Sequence, residues 1–360
     1  MTMPSHKIKV LIADDSFFMR KLTRRLLEEA GDFEVVGEAK DGVEAVELAK
    51  HLRPDVMTMD YNMPLLTGAM ATRQIVMEVK PAPAIVMLSA YTKEGAEETL
   101  ESLRAGAVDF VCKPSGELSL DIDKVAVELL AKLRLASHSQ VQRLPEFLFQ
   151  KKVGLRISAK RMGKVARKGK TPAWLIVIGA STGGPPVIEE VVTHLNNNLP
   201  AAILIVQHMP PHFTKSFAER LEKMSELNVR EAVDGDKIGA GLVLIAPGDY
   251  HMVLKYVDGE YIVKLNQEPP RDGLRPSIDV LFESVAPIWK NRVMAVELTG
   301  MGEDGCNGIE AIRKIGGFII AQSKETTVVN SMPWSVVAKG LADAVLAPIK
   351  IAEKINSLCK

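Results

Sequence analysis

A serine among small residues is the strongest candidate for covalent chemistry in this chain. The stretch IGASTGGPP at 178–186 follows an apolar run, and residues 179–183 satisfy the pattern G-x-S-x-G around Ser181. Between a strand and a helix, the glycines of this pattern permit a sharp turn that exposes the hydroxyl as a nucleophile. Pro185 suits the first turn of the helix that follows, whose free N–H groups would lie beside Ser181. Small residues also form ordinary tight turns, so the motif needs partners elsewhere in the chain.

A serine nucleophile needs a base, and the best candidate is His208. His208 follows the apolar run AAILIVQ, so it should lie at the same sheet edge as Ser181. The alternative is a histidine with a structural role only. His212 lies four residues further on, as in some metal pairs, but Pro210 disrupts a helix there and no third ligand is evident. The other histidines lack this strand-end context: His6, His51, His138, His194 and His251, the last in a predicted hairpin.

The candidate for the acid that orients the histidine lies in a glycine-rich turn, LTGMGEDG. Asp304 falls in this turn, after a predicted strand, although it is also a plausible helix N-cap. Glu297 and Glu303 are rivals, and spacing alone does not choose among the three. The glycines also leave backbone N–H groups that can face a developing oxyanion. Cys306 is a weaker candidate nucleophile because its surroundings, DGCNG, do not form a nucleophile elbow.

The first third of the chain has a second cluster of polar residues at predicted strand ends. Its members are Asp14, Asp15, Asp60, Ser89 and Lys113. The carboxyl ends of parallel strands share one edge of a sheet, so the three carboxylates should converge there. Converging carboxylates repel one another unless a cation joins them, and hard oxygen ligands suit Mg²⁺. The lysine can hold an anion beside the metal. Helix capping explains a single such aspartate but not the whole set.

Hydrophobic patterning predicts an α/β fold class with two doubly wound domains. Residues 8–135 alternate five β-rich runs with helical patterns, which predicts a parallel sheet covered on both faces. One of these helices should stop at Gly106. The alternation resumes at residue 173, and two β-rich runs around Asp258 and Gly259 predict a hairpin. We therefore expect domains at 1–135 and 173–360, joined by a basic interdomain linker at 136–172.

The second domain contains five predicted strands and four predicted helices. The strands are 173–179, 201–208, 242–248, 292–300 and 318–323. The helices are 187–195, 214–224, 278–289 and 309–316.

Composition indicates a cytoplasmic protein. Lys and Arg total 45, as do Asp and Glu, so no net charge points to nucleic acid or an anionic membrane. Three widely spaced cysteines suit a reducing compartment: Cys112, Cys306 and Cys359. The N-terminus lacks a signal-peptide pattern, and no apolar run approaches the roughly 20 residues that span a bilayer. We therefore expect no direct membrane insertion. The basic stretch at 136–172 leaves nucleic-acid binding as an alternative.

Residues 6–130 resemble the receiver domain of bacterial two-component response regulators. The matching motifs are DD after the first strand, MDYNMP, LSA and CKP. The resemblance implies a five-stranded, flavodoxin-like parallel fold with Asp60 as phospho-acceptor. It implies Mg²⁺ held by Asp15, Asp60 and the backbone carbonyl of Asn62, with Asp14 supporting. It further implies that Ser89 and Lys113 contact the phosphoryl group and that Phe110 is the switch aromatic. Thr67 departs from the pattern, since an Asp is usual there.

Residues 173–355 closely resemble the catalytic domain of the chemotaxis protein-glutamate methylesterases. The motifs IGASTGG, VQHMP, LTGMGEDG and SMP occur in the family's order. The resemblance implies Ser181 as nucleophile, His208 as general base and acid, and Asp304 as the residue that orients His208. It implies support from the Met301 backbone N–H at the oxyanion and from Thr182. Trp334 departs from the basic or small residue expected after SMP.

A receiver joined to such a domain is the arrangement of the phosphorylation-controlled members of this family. The resemblance implies hydrolysis of glutamyl methyl esters, and deamidation of glutamines, on methyl-accepting chemotaxis receptors. A chemotaxis histidine kinase would be the phosphodonor, and ester hydrolysis would need no cofactor. Two other classes stay open: a response regulator with a DNA-binding output, and a nucleotide-dependent oxidoreductase. The first needs a helix-turn-helix and the second a G-x-G-x-x-G, and neither is found in the sequence.

Overall fold

A computed structural model of the chain describes residues 7–113, 122–138, 172–289 and 291–360. The chain divides into two compact units, Met1–Gly154 and Leu155–Lys360. Most of the predicted linker falls outside the described residues.

The first unit is a five-stranded parallel sheet flanked by helices. Its strands are β1 (Ile8–Ala13), β2 (Phe33–Ala39), β3 (Val56–Asp60), β4 (Ala84–Ser89) and β5 (Asp109–Cys112). Its helices are α1 (Phe17–Ala30), α2 (Gly42–Leu52), α3 (Gly68–Glu78), α4 (Lys93–Ala105) and α5 (Ile122–Ser137). The strand order β2-β1-β3-β4-β5 is that of flavodoxin-like folds, which confirms the predicted fold class of this unit. The order reverses between β1 and β3, and ligands of such sheets bind outside the strand ends at that point.

Local capping fixes where the helices of the first unit begin and end. Ser16 accepts a hydrogen bond from the Met19 N–H, and Thr92 accepts one from the Gly95 N–H. Such caps satisfy N–H groups that have no partner within the helix. Helix α4 ends at Gly106, which has a φ of 115°, as the sequence predicts. Helix α5 continues two residues past the predicted domain boundary, to Ser137.

The second unit is a seven-stranded sheet with a separate hairpin. The sheet strands are β6 (Trp174–Ala180), β7 (Ala201–Gln207), β8 (Asn228–Glu231), β9 (Leu242–Ile245), β12 (Arg292–Glu297), β13 (Phe318–Gln322) and β14 (Ala344–Leu346). The hairpin strands are β10 (His251–Val257) and β11 (Glu260–Asn266), as predicted around Asp258 and Gly259. The helices are α6 (Gly184–Thr193), α7 (Phe213–Met224), α8 (Ile278–Val285), α9 (Cys306–Lys314), α10 (Ser331–Ala338) and α11 (Pro348–Leu358).

The strand order of this sheet is β14-β13-β12-β6-β7-β9-β8, and all the strand pairs are parallel. The chain runs outward from β6 through β7 on one side and from β12 through β13 on the other. The order therefore reverses between β6 and β12. Strands β6 and β7 are buried along their whole length, as expected for a parallel sheet with helices on both faces.

The structure adds two strands and two α-helices that the sequence does not predict, and it ends β9 at Ile245 and β12 at Glu297, each three residues earlier than predicted. Strands β8 and β14 are only four and three residues long and lie at the two edges of the sheet, where hydrophobic patterning is weakest. Helices α10 and α11 were also not predicted. Helix α8 ends at Val285 rather than at Trp289. Among the residues described, none of the helices is long and apolar enough to cross a membrane.

Candidate active site and acidic site

Ser181 lies on a tight turn between β6 and α6. Its backbone N–H donates to the Thr299 carbonyl at 3.0 Å, and its own carbonyl accepts from the Gly184 N–H at 2.8 Å. Gly183 between them has a φ of 74°, and a Cβ there would collide with the Val328 side chain. Only glycine suits both constraints. The turn therefore holds Ser181 partly exposed at the carboxyl end of a buried strand.

His208 directly follows β7, the strand next to β6, and so lies beside the turn that carries Ser181. Ala180 pairs with Gln207 across β6 and β7, and the His208 N–H donates to the Ala180 carbonyl at 3.1 Å. The imidazole Nε2 lies 2.9 Å from Asp304 Oδ2. Because Nε2 faces the carboxylate, Nδ1 is the ring nitrogen left for another partner. The structure thus brings His208 and Asp304 together and places Ser181 one strand away along the same edge.

The carboxylate of Asp304 is surrounded by donors. Besides His208, it accepts the Ser277 hydroxyl at 2.9 Å and the backbone N–H groups of Ile278 at 2.7 Å and Asp279 at 3.0 Å. Burial alone would raise the pKa of Asp304, but the hydrogen bond and charge of His208 and the two backbone donors lower it below its usual value. Asp304 is therefore held as a carboxylate.

The two rival acids occupy different surroundings. Glu303 is exposed, and its backbone carbonyl accepts the Cys306 N–H. Glu297, the last residue of β12, is fully buried, and neither carboxylate oxygen has a hydrogen-bond partner among the described residues. Burial, with the nearby charges of Asp304 and Asp279, raises the pKa of Glu297 well above its usual value. Of the three acids, Asp304 is the one that contacts His208.

Glu297 lies beneath the two turns of the site, and sequence reasoning did not find this. A Cβ on Gly305 would stand 2.5 Å from Glu297 Oε2, and one on Gly179 would stand 3.2 Å away. A carboxyl group in such a place favours its neutral form. Cys306 is also buried and joins the apolar core rather than the surface, which removes the access that a nucleophile needs.

The turn after β12 lies against the start of α10. The Gly300 N–H donates to the Val329 carbonyl, and the Gly302 N–H donates to the Ser331 hydroxyl. No hydrogen bond to a described residue uses the Met301 N–H between them. A Cβ on Gly300 would stand 2.8 Å from Ser181 Cβ, so this turn passes directly beside the serine.

The remaining predicted residues of this site differ in exposure. Thr182 is buried, and its carbonyl accepts the Thr299 hydroxyl at 3.0 Å. The side chains of Met301 and Trp334 are exposed. His212 precedes α7, and among the residues described the groups able to hold a metal do not include it. His251 is buried at the start of β10, where Nδ1 accepts the Ser277 N–H at 3.2 Å.

The acidic cluster of the first unit forms around Lys113. Its Nζ lies 2.9 Å from Asp14 Oδ2 and 2.8 Å from Asp60 Oδ1. Burial raises the pKa of Asp60 to about 6, and the charges of Asp14 and Asp15 act in the same direction, while Lys113 opposes them. Burial alone would lower the pKa of Lys113, but the charges of Asp60 and Asp14 raise it. The cluster thus holds more buried negative charge than its lysine neutralises.

The cluster has the donors for a divalent cation. One oxygen from each of Asp14, Asp15 and Asp60 lies within 4.8 Å of the others. Carboxylate oxygens are the ligands that Mg²⁺ prefers, and Asp15 is exposed, which leaves room for coordinated water. The residues present therefore fit this cation. Asn62 lies in the loop after β3, where its side-chain amide donates to Glu98 and leaves its backbone carbonyl as the predicted ligand.

The hydroxyl of Ser89 faces helix α4. Ser89 Oγ donates to the Gly95 carbonyl at 3.0 Å, and the Thr99 hydroxyl lies 2.6 Å from Ser89 Oγ and 2.7 Å from the same carbonyl. Sequence reasoning did not include Thr99. The sequence feature that could have identified Thr99 is its position on the helix that follows the strand ending in Ser89.

The predicted switch aromatic, Phe110, and the atypical residue Thr67 both make contacts within the first unit. Phe110 is buried, with Lys132 Nζ 5.2 Å from its ring centre and bonded to its carbonyl at 2.6 Å. Thr67 is the N-cap of α3 and accepts from the Met70 N–H at 3.4 Å. Its hydroxyl therefore has a structural partner at the position where the receiver pattern has an Asp.

Two family models match the chain in succession. The model described as response regulator receiver domain matches residues 10–122. The model described as CheB methylesterase matches residues 176–355. The first match contains the acidic cluster, and the second contains Ser181, His208 and Asp304.

Relatives match over nearly the whole chain. A protein-glutamate methylesterase/protein-glutamine glutaminase of Thermotoga maritima is 45% identical over 357 residues, which cover 99% of this chain and 100% of the relative. A protein of the same name from Pyrococcus abyssi is 40% identical over 356 residues, 99% of this chain and 94% of the relative. The crystal structure of the Thermotoga maritima CheB methylesterase catalytic domain is 46% identical, with a TM-score of 0.50, and the match covers 51% of this chain and 97% of that domain.

Proposed function

This chain belongs to the CheB family of protein-glutamate methylesterases/protein-glutamine glutaminases that carry a receiver domain, and we propose that its ester hydrolysis uses Ser181, His208 and Asp304 as a catalytic triad. The single observation that carries this proposal is the 2.9 Å contact between His208 Nε2 and Asp304 Oδ2 at the sheet edge where Ser181 also lies. A serine hydroxyl needs a base held by a third group, and this edge supplies both.

The chemistry proceeds through an acyl-enzyme. Ser181 Oγ attacks the ester carbonyl carbon while His208 Nδ1 takes the hydroxyl proton, and Asp304 stabilises the resulting imidazolium. The Met301 N–H donates to the oxyanion of the tetrahedral intermediate. The intermediate collapses as His208 returns the proton to the leaving methoxy oxygen, which departs as methanol. Water then gives its proton to His208 and attacks the acyl carbon, which releases the carboxylate and restores Ser181. With a glutamine side chain, ammonia leaves in place of methanol.

The proposed substrates are glutamyl methyl esters and glutamines on the cytoplasmic helices of methyl-accepting chemotaxis receptors. The enzyme would act in the cytoplasm and meet the membrane only through those receptors. Thr182 supports the site beside the nucleophile. The match of residues 176–355 to a methylesterase model favours this activity over a DNA-binding output.

Asp60 is the proposed phospho-acceptor of the receiver domain, with a chemotaxis histidine kinase as phosphodonor. Mg²⁺, when bound, neutralises charge on the phosphoryl group during transfer to the carboxylate. The cation would be held by Asp15, Asp60 and the Asn62 carbonyl, with Asp14 supporting.

Lys113, now paired with Asp14 and Asp60, is placed to contact the phosphoryl group. Ser89 would reach it after leaving Gly95, and Phe110 would respond as the switch aromatic. We expect this phosphorylation to raise methylesterase activity.

The test uses the full-length protein and receptor membranes with labelled methyl esters, and follows labelled methanol. Ser181→Ala is expected to lose nearly all methanol release, because it removes the attacking oxygen. Ser335→Ala is the matched control, since among the described residues its hydroxyl bonds only to the Met332 carbonyl within α10. Turnover by folded Ser181→Ala close to that of the control would rule out covalent serine catalysis.

A second arm tests the receiver. Acetyl phosphate with Mg²⁺ is expected to stimulate the wild-type enzyme but not Asp60→Asn, which cannot form the acyl phosphate. Equal rates with and without the phosphodonor in the wild type would contradict regulation through Asp60 while leaving the triad intact.

A further inference from the structure

Two aspartates of the second unit cap each other's helices. Asp304, which precedes α9, accepts the first two backbone N–H groups of α8, those of Ile278 and Asp279. Asp279, in the first turn of α8, accepts the N–H groups of Gly305 and Gly308 at the start of α9 through its Oδ1, at 3.0 and 2.7 Å. Each carboxylate thus satisfies N–H groups that have no partner within the other's helix.

The Asp279 side chain is buried and fully engaged. Only 2% of the residue is exposed, and Oδ2 accepts from the Asn307 amide at 2.9 Å. The guanidinium of Arg271 lies 3.6 Å from the same oxygen and is itself paired with Glu283. These contacts fix the direction of the carboxylate from both sides.

The reciprocal capping fixes Asp304 through its own peptide. Asp279 holds the N–H of Gly305, the residue directly after Asp304, so the position of the Asp304 backbone depends on Asp279. The Asp304 carboxylate depends on α8 as well, because the Ser277 hydroxyl and two α8 N–H groups occupy the lone pairs that His208 does not use. Ser277 is held in turn by His251, which accepts its N–H.

We propose that Asp279 is a positioning residue of the triad: by binding the Gly305 and Gly308 N–H groups it holds the Asp304 carboxylate in hydrogen-bond contact with His208. This inference rests on the proposed catalytic role of Asp304. Asp279 has no contact with His208 and takes no part in proton transfer. Its effect is geometric, and a displacement of about 1 Å in a catalytic group can lower a rate as much as 100-fold.

The first measurement is the proton NMR signal of the imidazole N–H that is hydrogen-bonded to Asp304, which lies far downfield. Its loss in His208→Gln assigns it. In Asp279→Ala the two N–H groups at the start of α9 lose their acceptor, and we expect this signal to disappear or shift markedly. A residue that only stabilised the fold would leave the signal in place at temperatures where the variant is folded.

The second measurement is methanol release from methylated receptor membranes. Asp279→Ala is expected to lower kcat about 10- to 100-fold with KM changed by no more than about twofold, because substrate binding does not involve Asp279. Asp279→Asn keeps an oxygen for Gly305 and Gly308, and its amide nitrogen can donate to Asn307 once that side-chain amide turns its oxygen toward it, so the variant should retain the NMR signal and recover much of kcat. Asp343→Ala is the matched control: Asp343 also accepts a backbone N–H, from Ile319, and an arginine, Arg313, yet contacts no residue of the triad. It should keep both kcat and the signal.

If Asp279→Ala does not fold, Asn307→Ala provides the test, since it removes only the amide that orients the Asp279 carboxylate. A shifted signal and a smaller fall in kcat are then expected. Wild-type kcat and an unchanged signal in whichever of these two variants folds overturn the proposal. A lost signal with unchanged kcat supports the positioning by Asp279 and contradicts the catalytic role of Asp304. Failure of Ser181→Ala to lose activity contradicts the triad and leaves the NMR result to stand by itself.

Discussion

Asp60 ends one parallel strand and Asp304 lies in the turn after another, each where the strand order of its sheet reverses, yet their surroundings move their pKa values in opposite directions. Burial raises the pKa of Asp60 to about 6, with the Asp14 and Asp15 carboxylates adding to the effect. The pKa of Asp304 is lowered, although burial opposes this, because His208 and the N–H groups at the start of α8 donate to it. Both carboxylates are buried, so the opposite shifts in their pKa values come from their neighbours: other carboxylates beside Asp60, and hydrogen-bond donors around Asp304.

This difference in neighbours distinguishes the acidic cluster, whose charges are balanced only when a ligand binds, from the Asp304 site, whose hydrogen bonds are complete without one. The acidic cluster has three carboxylates and a single lysine, so a cation improves it, and its state depends on what is bound. The hydrogen bonds of Asp304 come from backbone and side chains of its own unit and are complete without a ligand. Such preorganised groups cost no rearrangement during a reaction. A receiver needs the first property and a hydrolase needs the second.

The largest expected effect comes from Asp304→Asn. Every partner of this side chain donates a hydrogen bond. In the variant, one carboxylate oxygen becomes an amide NH₂ group, which cannot accept a hydrogen bond and therefore faces another donor at either oxygen position. We expect kcat for methanol release to fall by about 10² to 10⁴-fold, as in other triads whose acid no longer fixes the histidine. Steady-state kinetics on methylated receptor membranes measures the loss.

Asp343→Asn is the control for this prediction, because it makes the same change in a carboxylate that accepts from Ile319 and Arg313 instead. The control should stay near the wild-type rate. A loss of less than about tenfold in Asp304→Asn would show that the donors around the Asp304 carboxylate are not what makes this site active.

A smaller effect is expected for the pH dependence of Mg²⁺ binding to the acidic cluster. Because the pKa of Asp60 is raised to about 6, its carboxyl is largely protonated at pH 5 and largely ionised at pH 7. The cation needs the ionised form, so affinity should rise with pH through about 6 and level off above it. From the fraction ionised, affinity at pH 5 should be roughly tenfold weaker than at pH 7.

Calorimetric titration with MgCl₂ at constant ionic strength tests this prediction. Asp60→Asn should bind weakly and lose the step near pH 6, which assigns the step to this residue. An affinity for Mg²⁺ in the wild type that stays constant between pH 5 and pH 7 would contradict a raised pKa for Asp60. The pKa values of Asp60 and Asp304 would then not be shifted in opposite directions.

The sequence predicts the site residues at strand ends better than the groups that hold them. Ser181, His208 and Asp60 could be placed because carboxyl ends of parallel strands share an edge, a rule that needs only the strand assignments. The two resemblances drawn from the motifs are confirmed by the family models, and so is the α/β fold class. The triad roles remain a proposal.

The supporting residues depend on packing that local pattern does not reveal. Ser277 and Asp279 read as an ordinary helix start, and that this start lies against Asp304 follows only from how α8 docks. Asp304 could not be chosen over Glu297 and Glu303 for the same reason. The burial of Glu297 depends on the two glycine turns above it, Gly179 and Gly305, which lie far apart in sequence.

The smallest expected effect concerns the switch of Ser89 toward a phosphoryl group. Ser89 is bonded to Gly95 and Thr99, and these bonds must break before its hydroxyl can reach Asp60. Thr99→Val removes one of them and leaves the Gly95 carbonyl with its bond from Ser89. A hydrogen bond contributes about 0.5 to 1.5 kcal/mol, so the phosphoryl analogue beryllofluoride should bind roughly 2- to 10-fold more tightly to the variant.

Calorimetric titration with beryllofluoride in the presence of Mg²⁺ measures this change. Ser102→Ala is the matched control, because Ser102 is on the same helix and its hydroxyl bonds to the Glu98 carbonyl rather than to Ser89. Tighter binding in Thr99→Val alone would show that the receiver site is restrained by bonds that a ligand must break, in contrast to the completed shell of Asp304. Equal affinities in the two variants and the wild type would mean that Thr99 does not restrain Ser89, and the restraint would then lie in the bond from Ser89 to the Gly95 carbonyl or in the Lys113 ion pairs.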